Sequence, residues 1–94
     1  MFAITFDLEI SGLKKYYGSE TGFTNAYYDI KRTLREFAFF NVQGSVYITE
    51  NQDMSNLMQA ILKLKSMEWF RLSVRDIRAF RIEDWSDFTS FFQK

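Results

Sequence analysis

The chain of 94 residues contains no cysteine, no histidine and no proline. Without cysteine there are no disulfides, no thiolate metal sites and no cysteine nucleophile. Without histidine the usual general base, every histidine-dependent triad and the imidazole metal sites are excluded, which leaves carboxylates, lysine, tyrosine, serine and threonine for any chemistry. Net charge is missing too, because twelve basic residues cancel twelve acidic ones, and nothing in the bulk charge announces nucleic acid or a membrane surface. No apolar run approaches membrane-helix length, and no basic segment followed by an apolar one precedes the first strand pattern. A cytoplasmic protein without membrane partners is the expectation. A Walker loop, a dinucleotide fingerprint, the G-x-S-x-G elbow and the aromatic RNP pattern are absent as well.

What the chain has in abundance is aromatic surface: eleven Phe, five Tyr and two Trp. Hydrophobic residues make up 47% of it, enough for burial to offset the entropy of ordering, and the length suits one domain over 1–94. So large an apolar load on so small a chain predicts that part of it is covered by a partner, for which a homodimer is the simplest choice.

"FAITFDL" (2–8) alternates as a strand, with Phe2, Ile4, Phe6 and Leu8 on one side and Ala3, Thr5 and Asp7 on the other. The glycine-rich stretch 9–22 reads as a long polar loop. Thr21 or Thr24 can cap a helix over 23–38 whose apolar residues are Ala26, Tyr27, Ile30, Leu34 and Phe37. "FFNVQGSVYITE" (39–50) reads as two strands around Gln43-Gly44, with Val46 and Ile48 facing inward. Asp53 or Ser55 can cap a second helix carrying a core stripe of Leu57, Met58, Ile61 and Leu64. Residues 66–74 read as either a further helical turn or a tight connector, with Trp69 and Phe70 as packing anchors. Residues 76–85 read as a strand partly covered on both faces, and 86–94 as an aromatic tail too short to fold alone. The order β-α-β-β-α-β predicts an α+β, ferredoxin-like domain: a four-stranded antiparallel sheet of order 4-1-3-2 with two helices on one face.

In that topology the end of the first strand lies beside the starts of the third and fourth. Asp7 is thereby brought toward Ser45 and Asp76. If helices cover the Phe2–Leu8 apolar side, Asp7 faces away from them, joined by Ser45 if Val46 and Ile48 point inward and by Asp76 if Ile77 and Ala79 do. Two carboxylates and a hydroxyl suit a hard cation such as Mg²⁺, with Asp7 as its first ligand. Closely placed carboxylates can also share a proton, so that one serves as an acid. The plainer alternatives are that Asp7 ends its strand by bonding its own turn and that Asp76 pairs with Arg75 or Arg78. Arg71, Arg75, Arg78 and Arg81 would then line a solvated strand edge, paired with Glu83, Asp84 and Asp87. Tyr16, Tyr17 and Tyr47 are read as exposed aromatics that could stack on unpaired bases, with surface or dimer packing as an equal alternative.

"FAITFDL", "NVQGSVY" and "MEWFRLSVRDIRAFRIEDWSDFT", with the helices between them, strongly resemble the virulence-associated protein D (VapD) family over essentially the whole chain. The resemblance implies a homodimeric, ferredoxin-like endoribonuclease related to the small CRISPR-associated ribonucleases. Those relatives carry an aspartate at the end of the first strand and a "VQ-SV" segment, matched here by Asp7, Val42, Gln43, Ser45 and Val46, with Gly44 as an insertion. It further implies an RNA substrate and, in some bacteria, a role as the toxin half of a toxin-antitoxin pair held by an antitoxin protein. Asp7 becomes the primary catalytic candidate with Asp76 and Ser45 in support, while Arg75, Arg78, Lys14 and Lys15 are candidates for holding phosphate. The competing function is a non-catalytic homodimeric module that binds RNA or protein, in which the aspartates only pin strand ends.

Overall fold

In the computed structural model, which describes residues 1–18 and 24–93, the alternation of the first segment produces strand β1 (Phe2–Leu8), central in its sheet. It is flanked by β3 (Val46–Thr49) and β4 (Val74–Arg81), and β2 (Phe40–Gln43) lies beyond β3. All three pairings are antiparallel and the order is β2-β3-β1-β4, the ferredoxin-like arrangement expected from the element order. Phe2, Ile4, Phe6 and Leu8 join the core with Ala26, Ile30 and Leu34 of α2 (Thr24–Arg35) and Leu57, Ala60 and Leu64 of α3 (Met54–Ser66). These helix residues recur every three or four positions, so each helix turns one stripe onto the sheet.

Register decides the faces. Ile4 lies opposite Tyr47 and Ala3 opposite Ile48, and opposed residues share a side. Tyr47 is therefore the residue that enters the core, stacked on Phe6 at 5.9 Å between ring centroids. Val46 and Ile48 point away from the helices, the reverse of the sequence expectation. A four-residue strand with apolar residues at both parities carries no pattern that tells its faces apart, so pairing with β1 settles the matter. Along α3 the stripe also differs: Met58 is exposed, and Ala60 takes the buried place beside Leu57 and Leu64. Asp53 is the α3 cap, its carboxylate accepting the Ser55 amide at 2.9 Å.

Helix α2 ends three residues earlier than its apolar pattern suggests. The amide of Phe39 donates to the Leu34 carbonyl and that of Ala38 to the Arg35 carbonyl, both at 3.0 Å. This is a Schellman stop, and its left-handed residue is Ala38 at φ 61° where glycine is usual. Ala38→Gly relieves the Cβ clash at the cost of a looser unfolded chain, for a net gain of about 0.5–1 kcal/mol. A rise of a few degrees in the thermal midpoint is the expected reading; an unchanged or lower midpoint contradicts the assignment.

The segment expected to be a long loop is partly helical. Helix α1 (Ile10–Gly12) runs into a π-helical turn over Leu13–Tyr17, with Leu13 wholly buried. Three glycines hid this from the sequence, because the turn is held by tertiary packing. Thr21, one of the two proposed caps of α2, lies outside the described residues. Tyr17 packs edge-on against Trp69 and donates its hydroxyl to Asp29 at 2.7 Å. Burial, then that carboxylate, pushes its phenol up from 10.0 to about 12. Folding thus favours the neutral phenol, a contribution whole below 10.0 and lost as pH rises toward about 12. Urea midpoints should fall across that alkaline window, and Tyr17→Phe should flatten the fall. An identical profile in the variant refutes the coupling.

Helix α4 (Glu68–Ser73) occupies the ambiguous stretch before β4, burying Phe70 against Phe6. β4 itself starts and ends earlier than expected and is an edge strand open on both faces, not covered on both. Its arginines discourage pairing with a further chain edge. The tail, with its short helix α5 (Thr89–Phe92), lies across the helix-free side. There Trp85, Phe88 and Phe92 border a groove floored by Ala3, Val46, Ile48 and Phe80. Phe92 nevertheless remains 81% exposed. Among the described residues no helix is long and apolar enough to cross a membrane.

Candidate active site

The centre of the site follows from β1 and β4 register. Asp7 lies directly opposite Asp76, and the pattern then slips, so that Leu8 faces Val74 and Arg75 is left over. This is a β-bulge, which re-aims the extra side chain. Arg75 forms a hydrogen-bonded ion pair with Asp7. One turn of strand further on, Arg78 grips Asp76 through two nitrogens at 3.0 and 3.1 Å. Like charges set opposite each other weaken a sheet, and here each carboxylate has its own guanidinium. Ile77 and Ala79 share the side of Phe6 and Ile4, so Asp76 emerges with Asp7 on the helix-free face, as one of the two conditional arrangements anticipated.

The turn after β1 is clamped onto the start of β4. The Glu9 amide donates to the Ser73 carbonyl at 2.8 Å, and Gly12 sits so close that a Cβ there would meet Ser73 Cα at 3.1 Å. Gly12 thereby allows the approach that keeps Asp7 and the bulge in register.

Asp7 and Arg75 remain accessible, their side chains 54% and 62% exposed. The Arg78 hydrogen bond, with its charge, holds the Asp76 carboxyl below the usual carboxylate range, while the Asp7 hydrogen bond raises the Arg75 guanidinium further. Asp76 consequently stays ionised at neutral pH. That removes it as the protonated member of a proton-sharing pair. The plainer reading of Asp76 as the partner of Arg78 is what the geometry shows; Asp7, by contrast, bonds Arg75 rather than its own turn.

Ser45 does not join this group. Its carbonyl accepts the Phe6 amide at 3.3 Å, but its parity is that of Tyr47, and it lines a groove on the helix side with Tyr27, Tyr28 and Lys31. The expectation that it shares the face of Asp7 fails with the inward assignment of Val46 and Ile48. Lys14 and Lys15 are exposed on the π-helical turn and make no ion pair with the aspartates among the described residues. Arg81 bonds Gln52 at 3.0 Å and lies over the Phe2 ring, and none of the described ion pairs uses Glu83, Asp84 or Asp87.

As a cation site the single chain falls short. Among the described residues no three potential ligands gather for a metal, and both aspartates already hold guanidinium groups, whereas Mg²⁺ takes six oxygens in near-octahedral order. What the arrangement offers by itself is a solvent-facing carboxylate able to take a proton and two guanidinium groups able to hold a phosphate. Sequence reasoning anticipated that Asp7 and Asp76 lie together with arginines nearby, an arrangement the structure shows. It missed that Arg75 is the partner of Asp7, since nothing in "SVRD" signals a bulge. It also mistook Tyr47, now 3% exposed, for an open stacking surface and placed Tyr27 in the core, although Tyr27, Tyr28 and Lys31 share a helix side at steps of three and four.

Comparison with known proteins adds to this geometry. The family described as CRISPR associated protein Cas2 matches residues 1–89. The chain is similar to "Endoribonuclease VapD 1" of Riemerella anatipestifer, 56% identical over 85 residues that cover 90% of this chain and 93% of that protein. It is 53% identical over 90 residues to "Endoribonuclease VapD homolog" of Neisseria gonorrhoeae, covering 96% of each. With "Endoribonuclease VapD" of Haemophilus influenzae the identity is 50% over 91 residues, covering 97% of each.

Proposed function

Since the chain belongs to the VapD endoribonuclease family, within the wider Cas2 family, we propose that it cuts single-stranded or loop RNA with Asp7 as its proton acceptor. The observation that carries this reading is the exposed Asp7 carboxylate, set opposite Asp76 and bonded to a guanidinium that a phosphate can draw away. Arg75 and Arg78 hold the phosphate. Once Arg75 turns to it, Asp7 takes the proton of the attacking hydroxyl while that oxygen bonds to phosphorus. The phosphorus–oxygen bond to the next nucleotide breaks, and water protonates the leaving oxygen. Asp76 keeps Arg78 aligned.

The cutting site in this reading is the cleft of a homodimer, where two copies of Asp7 approach across the two-fold axis. Exposed Phe80, Phe88 and Phe92 on the same side as Asp7 support it, because a lone subunit leaves them in water. A second Asp7 would also supply carboxylate oxygens that one chain lacks for Mg²⁺. The finer proposal, a cytoplasmic toxin restrained by an antitoxin protein, rests on the family resemblance.

The alternative, a non-catalytic homodimeric module binding RNA or protein, is favoured by one observation: both aspartates are already ion-paired. Purified protein incubated with RNA, with Mg²⁺ or chelator and beside Asp7→Asn, separates the two. Cleavage that disappears in the variant supports the nuclease. A wild-type protein that binds RNA without cutting it under either condition supports the module.

A further inference from the structure

On the helix side of the hairpin a groove of about 600 Å³ opens between α2 and the β2–β3 turn. Tyr27, Tyr28 and Lys31 form one wall and Asn41, Ser45 and Tyr47 the other. Its chemistry is unlike a docking site for an apolar helix. Tyrosine rings replace aliphatic side chains, Tyr28 stands 65% exposed, and among the described residues lining it the one charged group is Lys31. Lys31 has no ion-pair partner among the described residues, and the neighbouring Asp29 is occupied by Tyr17 and Arg32.

The other wall is rigid. The Asn41 amide nitrogen donates to the carbonyls of Gly44 and Val46 at 2.8 and 3.1 Å, which pins the turn. With its hydrogens committed, Asn41 has only its carbonyl oxygen to offer a ligand. Burial raises the Tyr47 phenol above its ordinary value, so it stays a hydrogen-bond donor. Flat aromatic faces, a single cation and polar groups such as the Asn41 carbonyl oxygen and the Tyr47 hydroxyl are what an unpaired nucleotide needs: stacking for the base, charge for the phosphate and edge contacts for the rest.

The groove also lies at the end of the sheet where Asp7 sits. Ser45 lines it, and the Ser45 carbonyl bonds the amide of Phe6, the residue before Asp7. We propose that this groove is a subsite for one unpaired nucleotide of an RNA strand, whose base stacks on Tyr28 and whose phosphate meets Lys31. The strand then passes over the Gly44–Ser45 turn to Asp7 on the other face. Gly44, at φ 42° with no atom within 4 Å of where a Cβ would stand, leaves that passage open. This deepens the nuclease reading and rests on it, giving Ser45 a place beside the path in exchange for a catalytic part.

Binding in the Asp7→Asn background tests the subsite without cleavage. Fluorescence anisotropy is read with a labelled single-stranded oligoribonucleotide and with the same sequence as a blunt duplex. Tyr28→Ala should weaken single-strand binding about ten-fold, and Tyr28→Phe, which keeps the ring, should restore it. Lys31→Ala should lower the slope of log affinity against log salt by about 0.7, the single-strand value for one phosphate contact. Duplex affinity should change little in the tyrosine variants. With Asp7 intact, Tyr28→Ala should raise KM more than it lowers kcat. Unchanged single-strand affinity in both Tyr28→Ala and Lys31→Ala overturns the subsite. A wild-type protein that fails to cut RNA overturns the nuclease reading instead, since the binding measurement does not depend on cleavage.

Discussion

Asp7→Asn should lower the rate of RNA cleavage by about 10²–10⁴-fold, the usual contribution of a positioned proton acceptor. Asparagine keeps the size of the side chain and an oxygen for Arg75, so the bulge and the ion-pair geometry lose little. What it cannot do is take the proton of an attacking hydroxyl. Stability should barely move, because the Asp7–Arg75 pair is exposed and such pairs contribute little. The variant also relieves the opposition of Asp7 and Asp76, which pushes stability slightly the other way. The measurement is single-turnover cleavage of a labelled RNA by wild type and variant purified side by side, with melting curves for both. Residual cleavage at the wild-type rate shows that Asp7 is not the acceptor or that a contaminating nuclease does the work. A large loss of melting temperature would show that the residue is structural.

Phe39→Ala should be among the most damaging single changes to the fold. Phe39 has no exposed surface, and it is held there from two directions. Its amide closes the end of α2 on Leu34, and its ring belongs to the cluster that joins α2 and α3 to β1. Truncating a buried phenylalanine costs about 3–5 kcal/mol through lost burial and the cavity left behind. Small domains hold about 5–15 kcal/mol in total, so about a fifth or more of the stability goes. The thermal midpoint should drop by on the order of 20 °C for a chain of this size. Phe40, the next residue, is 52% exposed and provides the control. Phe40→Ala should shift the midpoint by only a few degrees, and equal shifts in the two variants would contradict the assignment of Phe39 to the core.

The adjacent pair shows where a sequence stops being legible. "AFF" does not say which phenylalanine is enclosed and which is half open; pairing of Phe40 with Ile48 turns it to the helix-free face and leaves Phe39 to the core. The same limit applies to "VYIT", which carries Val46 and Ile48 in one phase and Tyr47 in the other, and to "SVRD", in which a slipped register puts Arg75 on the carboxylate of Asp7. Long, clear periodicities were readable. β1 alternates over seven residues, α3 repeats over thirteen, and the order of elements admits few right-handed topologies.

By itself the sequence determined which side chains are available for chemistry and on which face of its strand Asp7 stands. The absence of histidine and cysteine left carboxylates, lysine, tyrosine, serine and threonine for any chemistry, and alternation along β1 put Asp7 opposite the core. Both follow from residue type and from a period of two, which are local properties. Tertiary structure alone decided what Asp7 touches, which face takes Ser45, and that Tyr27, Tyr28 and Lys31 meet the hairpin in one groove. Those outcomes depend on register between strands distant in the chain, and a shift of a single residue reverses them.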